Sequence, residues 1–228
     1  MSAAGGSLES EAVRTMFDSI APLYDRMNLF MTAGLDRRWR DATARRVVRP
    51  GDSVLDAACG TGDLALADLR AGAARVVGVD FSERMLELAA RKSGEIEWVQ
   101  GDLCRLPFPD GTFQAATIGF GLRNVPDRET ALRELRRVLA PGGQLGILEI
   151  TRARGPLAPF FHIWFDGLVP LAGKLLPGGS AYAYLPASVR RFPAPRQLAA
   201  EIARAGFGDV RYRVLAGGIM ALHVGVAA

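Results

Sequence analysis

At 228 residues, with 49% apolar and 23% charged residues, the chain has material for one substantial domain and is marginal for two. Its only cysteines, Cys59 and Cys104, and only histidines, His162 and His223, exclude a disulfide framework and a structural zinc cluster, so no metal is expected and a cytoplasmic setting is. The net charge of +4 comes from an arginine-rich composition rather than one basic block. The start, MSAAGGSLES, has no signal-peptide pattern, and no run approaches the ~18 apolar residues of a spanning helix.

Residues 1–9 are small and polar and are expected to be disordered. The spacing of Val13, Met16, Phe17 and Ile20, a turn at Ala21-Pro22 and further helix through 35–48 predict a helical N-terminal cap over 10–50, closed by Pro50-Gly51. Inside it Arg37, Arg38, Arg40, Arg45, Arg46 and Arg49 mix with Asp36 and Asp41. Such a mixture reads as a solvated helix face or, more sharply, as attraction to an anionic bilayer worth ~1 kcal/mol per arginine.

From residue 53 strand and helix alternate. Apolar runs at 53–58, 75–80, 96–100, 114–119 and 144–149 read as strands. Helices fall at 63–71, 82–92 with Ser82 as N-cap, and 128–139 before Pro141-Gly142-Gly143. Near-continuous apolar strands in this rhythm imply an α/β fold, a parallel sheet covered on both faces. Residues 154–192, rich in proline, glycine and aromatics such as Trp164 and Phe165, break the rhythm and are expected to insert as a lid. A helix at 195–205 precedes two strands, around 209–215 and 219–226, joined at Gly217-Gly218 as a hairpin. Residues 10–228 thus read as one Rossmann-like domain whose mostly parallel, seven-stranded sheet finishes antiparallel, unlike that of a dinucleotide-binding dehydrogenase.

The sharpest local signal is Leu55-Asp56-Ala57-Ala58-Cys59-Gly60-Thr61-Gly62-Asp63 on a strand-to-helix turn. Gly60 and Gly62 let backbone approach a ligand closely, with Thr61 between them. Asp80, closing the second strand about twenty residues on, is placed to accept from both hydroxyls of a ribose. Asp102 and Leu103, after the third strand, can take an adenine amino group and donate a backbone N–H. A diphosphate cofactor calls for a third glycine and no nearby anions. Here Asp56 and Asp63 flank the loop, which suits the sulfonium and ammonium of S-adenosylmethionine, leaving S-adenosylhomocysteine as product. The sheet is then that of a class I methyltransferase. Cys59 reads as a small residue in a crowded turn.

Further motifs run almost the length of the chain: Tyr24-Asp25-Arg26-Met27-Asn28, Gly34-Leu35-Asp36-Arg37-Arg38-Trp39, Phe120-Gly121-Leu122-Arg123-Asn124-Val125 and Ala221-Leu222-His223. With the glycine turn, they make the sequence similar to the ubiquinone/menaquinone biosynthesis C-methyltransferases. The family usually has His at the place of Asp36 and Ser at that of Gly119, where the Ser meets the cofactor; Gly119 joins the cofactor set on that ground. Before Leu185 it usually reads Asp-Ser-Tyr-Arg-Tyr, where this chain has Ser180-Ala181-Tyr182-Ala183-Tyr184.

The resemblance implies methylation of a ring carbon on a prenylated quinol, demethylmenaquinol foremost, and so a lipophilic partner. The aromatic, proline-broken segment 156–179 is expected either to fold over the substrate as a lid or to dip into the bilayer, giving peripheral contact with the inner face of a membrane. Prenyl length, quinol type and oligomeric state stay open. Ionising a phenol of pKa ~10 at pH 7 costs about 4 kcal/mol, which a cation or a base can offset. Arg123, just past the fourth strand, is the candidate cation. Tyr24 and Asn28 are candidates for orienting the ring hydroxyl, and His223 or His162 for the base. A second reading is a related enzyme acting on another lipid, phenol or amine. Nucleic-acid methylation lacks its motifs here, and a cofactor-binding module without turnover is the remaining rival.

Overall fold

In the computed structural model, which describes residues 3–32, 34–152, 167 and 179–228, the short apolar runs become strands. They are β1 (Ser53–Ala57), β2 (Arg75–Asp80), β3 (Glu97–Gln100), β4 (Phe113–Gly119) and β5 (Leu139–Ile150), followed near the end by β6 (Phe207–Leu215) and β7 (Met220–Ala227). One sheet in the order β3-β2-β1-β4-β5-β7-β6 results. It is parallel except where β7 pairs antiparallel with β5 and β6. Strand order reverses between β1 and β4, so their carboxyl ends open onto a crevice, where doubly wound sheets bind ligands.

The helices are α1 (Ala3–Thr32), α2 (Leu35–Val47), α3 (Asp63–Arg70), α4 (Glu83–Lys92), α5 (Arg128–Val138), α6 (Gly179–Arg191) and α7 (Pro195–Arg204). Leu55, Val77 and Ile118 point to one sheet face, against Leu132, Leu135 and Leu198. Their neighbours Val54 and Val76 point to the other, against Val47 and Ala65. The two-residue period, with both faces covered, is why these strands are apolar nearly throughout. Ser82 caps α4 by accepting the Met85 N–H at 3.1 Å, and Asp127 caps α5 by accepting that of Thr130 at 3.0 Å.

Two expectations change. Residues 3–32 form one helix, where a disordered start over 1–9 and a turn at Ala21-Pro22 are expected from the sequence. Packing of Ile20 and Ala21, each 2% exposed, anchors the helix, and extending a nucleated helix costs little. β5 begins at Leu139, because Leu139 pairs with Phe113 before the register shifts, and Pro141-Gly142-Gly143 lies within that irregularity. The final hairpin does turn at Gly217-Gly218 as expected, with Ala216, Gly217 and Gly218 at φ +51°, +65° and +105°. Most of the expected lid, including His162, Trp164 and Phe165, lies outside the described residues. Among the described residues no helix is long and apolar enough to cross a membrane.

Trp98 of β3 packs its ring against Gly62 of the glycine turn and Gly78 of β2. A Cβ on Gly78 of β2 would meet its ring at 2.4 Å and Cys59 Sγ at 3.1 Å, which confirms Cys59 as part of a crowded turn. A rigid ring pinned by its Nε1–H to the Ser93 carbonyl at 3.1 Å cannot step aside. Gly78→Ala is therefore expected to cost ~1–3 kcal/mol, read as a lower urea midpoint at unchanged slope; an unchanged midpoint would show that the ring yields.

Candidate active site

Two adjoining cavities occupy the carboxyl edge of the sheet. The first, of about 190 Å³, is lined by Asp56, Gly60, Thr61, Asp63 and Asp80, and further by Asp102, Leu103 and Gly119. These are the positions the sequence singled out, apart from Gly62, which shapes the turn at φ +81°. The second, of about 370 Å³, is walled mostly by apolar side chains such as Met16, Ile20, Trp39, Ile150 and Met220. Phe17, Tyr24, Arg40 and Phe120 line both cavities and form the wall between them.

The acidic groups of the first cavity are held in different ways. Asp80 accepts the Gly60 N–H at 2.8 Å and the Ser82 N–H at 2.9 Å, one on each oxygen. Burial pushes its carboxyl up to about 6, and the backbone donors pull it back only part of the way. Asp56 is fully buried, and its Oδ2 has no partner. The Thr117 hydroxyl, 3.5 Å from Asp56 Oδ1, donates instead to Asp68 Oδ2 at 2.7 Å. Asp68 is as deeply buried, with Oδ1 unpartnered. Burial raises both carboxyls, and the Asp56 charge adds to the push on Asp68. Asp102 accepts the N–H of Cys104 at 2.9 Å.

Helices α1 and α4 are tied to the glycine turn by one lysine. Lys92 Nζ lies 2.7 Å from Asp63, 2.6 Å from Asp25 and 3.0 Å from the Thr61 hydroxyl, which itself donates to Asp25 at 2.6 Å. This network, like the Asp56–Thr117–Asp68 cluster and Arg40, escaped the sequence reading. For Arg40 a signal existed: Asp36, Arg40, Thr43, Ala44 and Val47, the buried residues of α2, follow a helical stripe. Two charged members hide that stripe from a search for apolar periodicity.

Around the second cavity, Asn28 and Arg123 each carry a buried nitrogen without a partner, Nδ2 and Nε. Arg123 is not an isolated cation. Its Nη1 pairs with Glu149 at 2.8 Å, and the two side chains are 7% and 1% exposed. Tyr184 and Leu185 of α6 also reach this cavity. His223 lines neither cavity. It lies an odd number of residues from Met220 along β7 and so faces the opposite side of the sheet. There its Nε2 sits 2.9 Å from the Pro195 carbonyl oxygen and its ring stacks on Tyr212 at 5.5 Å. The expectation of His223 as a base at the site is corrected on that ground.

A model of the ubiE/COQ5 methyltransferase family matches residues 6–227. A demethylmenaquinone methyltransferase of Thermus thermophilus is 46% identical over 92% of this chain and 99% of its own length. One of Deinococcus radiodurans is 43% identical over 95% and 93%. A 2-phytyl-1,4-naphtoquinone methyltransferase of Synechococcus elongatus is 40% identical over 95% and 97%. Among solved structures, the [4+2]-cyclase SpnF superposes with a TM-score of 0.71 at 21% identity, covering 95% of each chain. A SAM-dependent methyltransferase of Thermotoga maritima, described as a possible histamine N-methyltransferase, gives 0.66 at 20% identity over 94% and 99%. These two speak to the fold.

The acid groups make a pH prediction. A carboxyl raised on folding binds more protons in the folded than in the unfolded chain, so the stability present at acid pH is lost as pH rises through the folded value. For Asp80 that window runs from its ordinary 3.8 to about 6, and Asp56 and Asp68 extend it upward. The ligand-free protein is expected to melt at progressively lower temperature from about pH 5 to 8, and Asp56→Asn to flatten that slope. Parallel profiles for the two proteins would contradict it.

Proposed function

The chain belongs to the ubiE/COQ5 methyltransferase family, and on that premise we propose that it transfers a methyl group from S-adenosylmethionine to a ring carbon of a prenylated quinol, demethylmenaquinol foremost. The observation that carries this reading is the pair of cavities on one wall: one glycine-lined and acidic, the other apolar with two unsatisfied donors.

The first cavity fits the methyl donor. The unpartnered Asp56 oxygen suits a cationic ligand group, and Asp80, already fixed by two backbone donors, keeps lone pairs for ribose hydroxyls. Asp102 and Leu103 stand where an adenine edge would lie, and Gly60, Thr61, Gly62, Asp63 and Gly119 supply close backbone and loop contacts. The donor brings an electrophilic methyl group; the rest of the work falls to the residues around the acceptor. Asn28 Nδ2 and Arg123 Nε offer hydrogen bonds to ring oxygens, which favours the ionised phenol. Tyr24 and Phe120 hold the ring against the shared wall and exclude water, and alignment across that wall supplies much of the rate. The demethylmenaquinone and phytyl-naphthoquinone activities in the relatives' names favour a naphthoquinol over other acceptors.

The outer face of α2 supports a lipid-surface role. Arg37, Arg38, Arg45 and Arg46 are exposed there, and Leu29 and Leu35, 60% and 43% exposed, lie nearby, Leu35 at the second cavity. A cationic face beside an apolar mouth suits delivery of a lipid-tailed substrate from an anionic bilayer.

Purified protein given labelled donor and a demethylated prenyl naphthoquinol should yield the C-methylated quinol by mass. Arg123→Ala would strand the buried Glu149 charge, so the informative variant is Arg123→Gln/Glu149→Gln, which removes the pair together. It is expected to lose roughly 100-fold or more in kcat and to keep donor affinity; near-normal turnover would take Arg123 out of the mechanism. For the membrane, vesicles rich in phosphatidylglycerol should retain the protein and phosphatidylcholine vesicles should not. Neutralising arginines of α2 should weaken retention roughly fivefold each. Equal retention by the two vesicle types would reject electrostatic docking.

A further inference from the structure

Arg40 is 5% exposed, yet it borders both cavities. Among the described residues lining the first cavity it is the only basic side chain, facing Asp56, Asp63, Asp80 and Asp102. Its Nη1 donates to Asp36 one turn earlier on α2 and lies 3.9 Å from Asp63 Oδ2. The guanidinium carbon sits 5.1 Å from the centre of the Phe120 ring. Phe120 is itself fixed at the end of β4, its N–H donating to the Leu148 carbonyl at 2.9 Å. An ion pair on one nitrogen and a ring against the face hold the guanidinium plane, and among the described residues no other hydrogen bond uses its remaining N–H groups.

The glycine turn offers few donors of its own. The Cys59 N–H goes to the Val79 carbonyl at 3.0 Å, that of Gly62 to the Cys59 carbonyl at 2.9 Å, and that of Gly60 to Asp80 at 2.8 Å. This is unlike a phosphate loop, where such groups face the ligand. A ligand with a sulfonium, an ammonium and a carboxylate finds acids for its two cations here. Its anion needs a side-chain cation, and the cavity provides one.

We propose that Arg40 binds the carboxylate of the methyl donor's amino-acid end with the guanidinium nitrogens Asp36 leaves free. The proposal rests on the cofactor reading of this cavity and adds the residue that recognises the donor's anionic group. Asp36 acts as a positioning residue, since it orients Arg40 without reaching the donor. The alternative, that Arg40 serves the quinol, places a second cation where Arg123 and Asn28 already supply donors.

The test is calorimetric and needs no turnover: titrate S-adenosylmethionine and its decarboxylated form into wild type, Arg40→Lys and Arg40→Gln/Asp36→Asn. The double variant removes both members of the buried pair, so no lone charge is left to unfold the protein. Wild type is expected to bind the carboxylated donor roughly 10- to 100-fold more tightly than the decarboxylated one. The double variant should bind the two alike, with affinity for the decarboxylated form kept, and Arg40→Lys should fall between. Equal binding of both by wild type, or full discrimination surviving in the double variant, would overturn the proposal while leaving the cofactor reading intact. Binding of neither by folded wild type would overturn both.

Discussion

A carboxylate taken out of water must find hydrogen-bond donors, a cation or a proton, and the carboxyl edge of this sheet sets that demand several times over. Each aspartate meets it differently. Asp80 takes two backbone N–H groups, Asp63 and Asp25 converge on Lys92, and Asp36 takes Arg40. Asp56 and Asp68 have one threonine hydroxyl between them. The last arrangement is the poorest, because one hydroxyl is shared by two buried acids, the Ala65 backbone N–H helps Asp56 alone, and an oxygen of each is left over. A cationic ligand beside Asp56 completes what the protein leaves incomplete, so the site is built at the expense of the stability of the ligand-free fold.

The same demand joins the N-terminal helices to the sheet. Asp25 and Asp18 of α1 reach Thr61 and Ser82 on the two loops that shape the first cavity. Helix α2 adds Arg40 from the other side. The wall between the cavities is therefore half sheet edge, through Phe120, and half N-terminal helix, through Phe17, Tyr24 and Arg40. A shift of α1 would alter donor and acceptor cavities together, since Tyr24 borders both and its ring stands edge-on to Phe17 at 6.1 Å.

How far the sequence reveals this differs by element. β2 is bounded correctly at Arg75–Asp80, and Ser82 is the cap it was expected to be, because a buried parallel strand and a helix start both leave local marks. The first-cavity residues were legible for a related reason: they sit at strand ends, and a sheet brings strand ends together. Groups that meet only through tertiary packing left no such mark. Thr117 and Asp68 are 49 positions apart, and Arg123 and Glu149 are 26. Either pair could be named only once β4 lay between β1 and β5. His223 misled because a chemically apt residue within a recognisable motif says nothing about which sheet face it occupies. α1 misled because Pro22 removes one backbone donor, which a long, packed helix tolerates at a kink or a solvated turn.

The stretch after β4 shows why the wall stands where it does. Gly121 presses against the glycine turn so closely that a Cβ there would meet that of Ala58 at 2.5 Å. Both chains bend to allow it, with Phe120 at φ +62° and Ala58 at φ +54°, conformations that cost side-chain-bearing residues about 1–3 kcal/mol each. The next residue, Leu122, is fully buried and pins the turn, and Arg123 follows within reach of Glu149. One strained contact thus turns the Phe120 ring between the cavities and sends Arg123 into the second. Gly119, just before it, belongs to the same geometry. A side chain there would stop 3.0 Å from Leu64 Cδ2, the mobile end of a leucine, so the serine of similar sequences is sterically within reach. Its absence leaves the first cavity without one hydroxyl but does not move the wall, which is fixed by Ala58, Phe120 and Gly121 rather than by position 119.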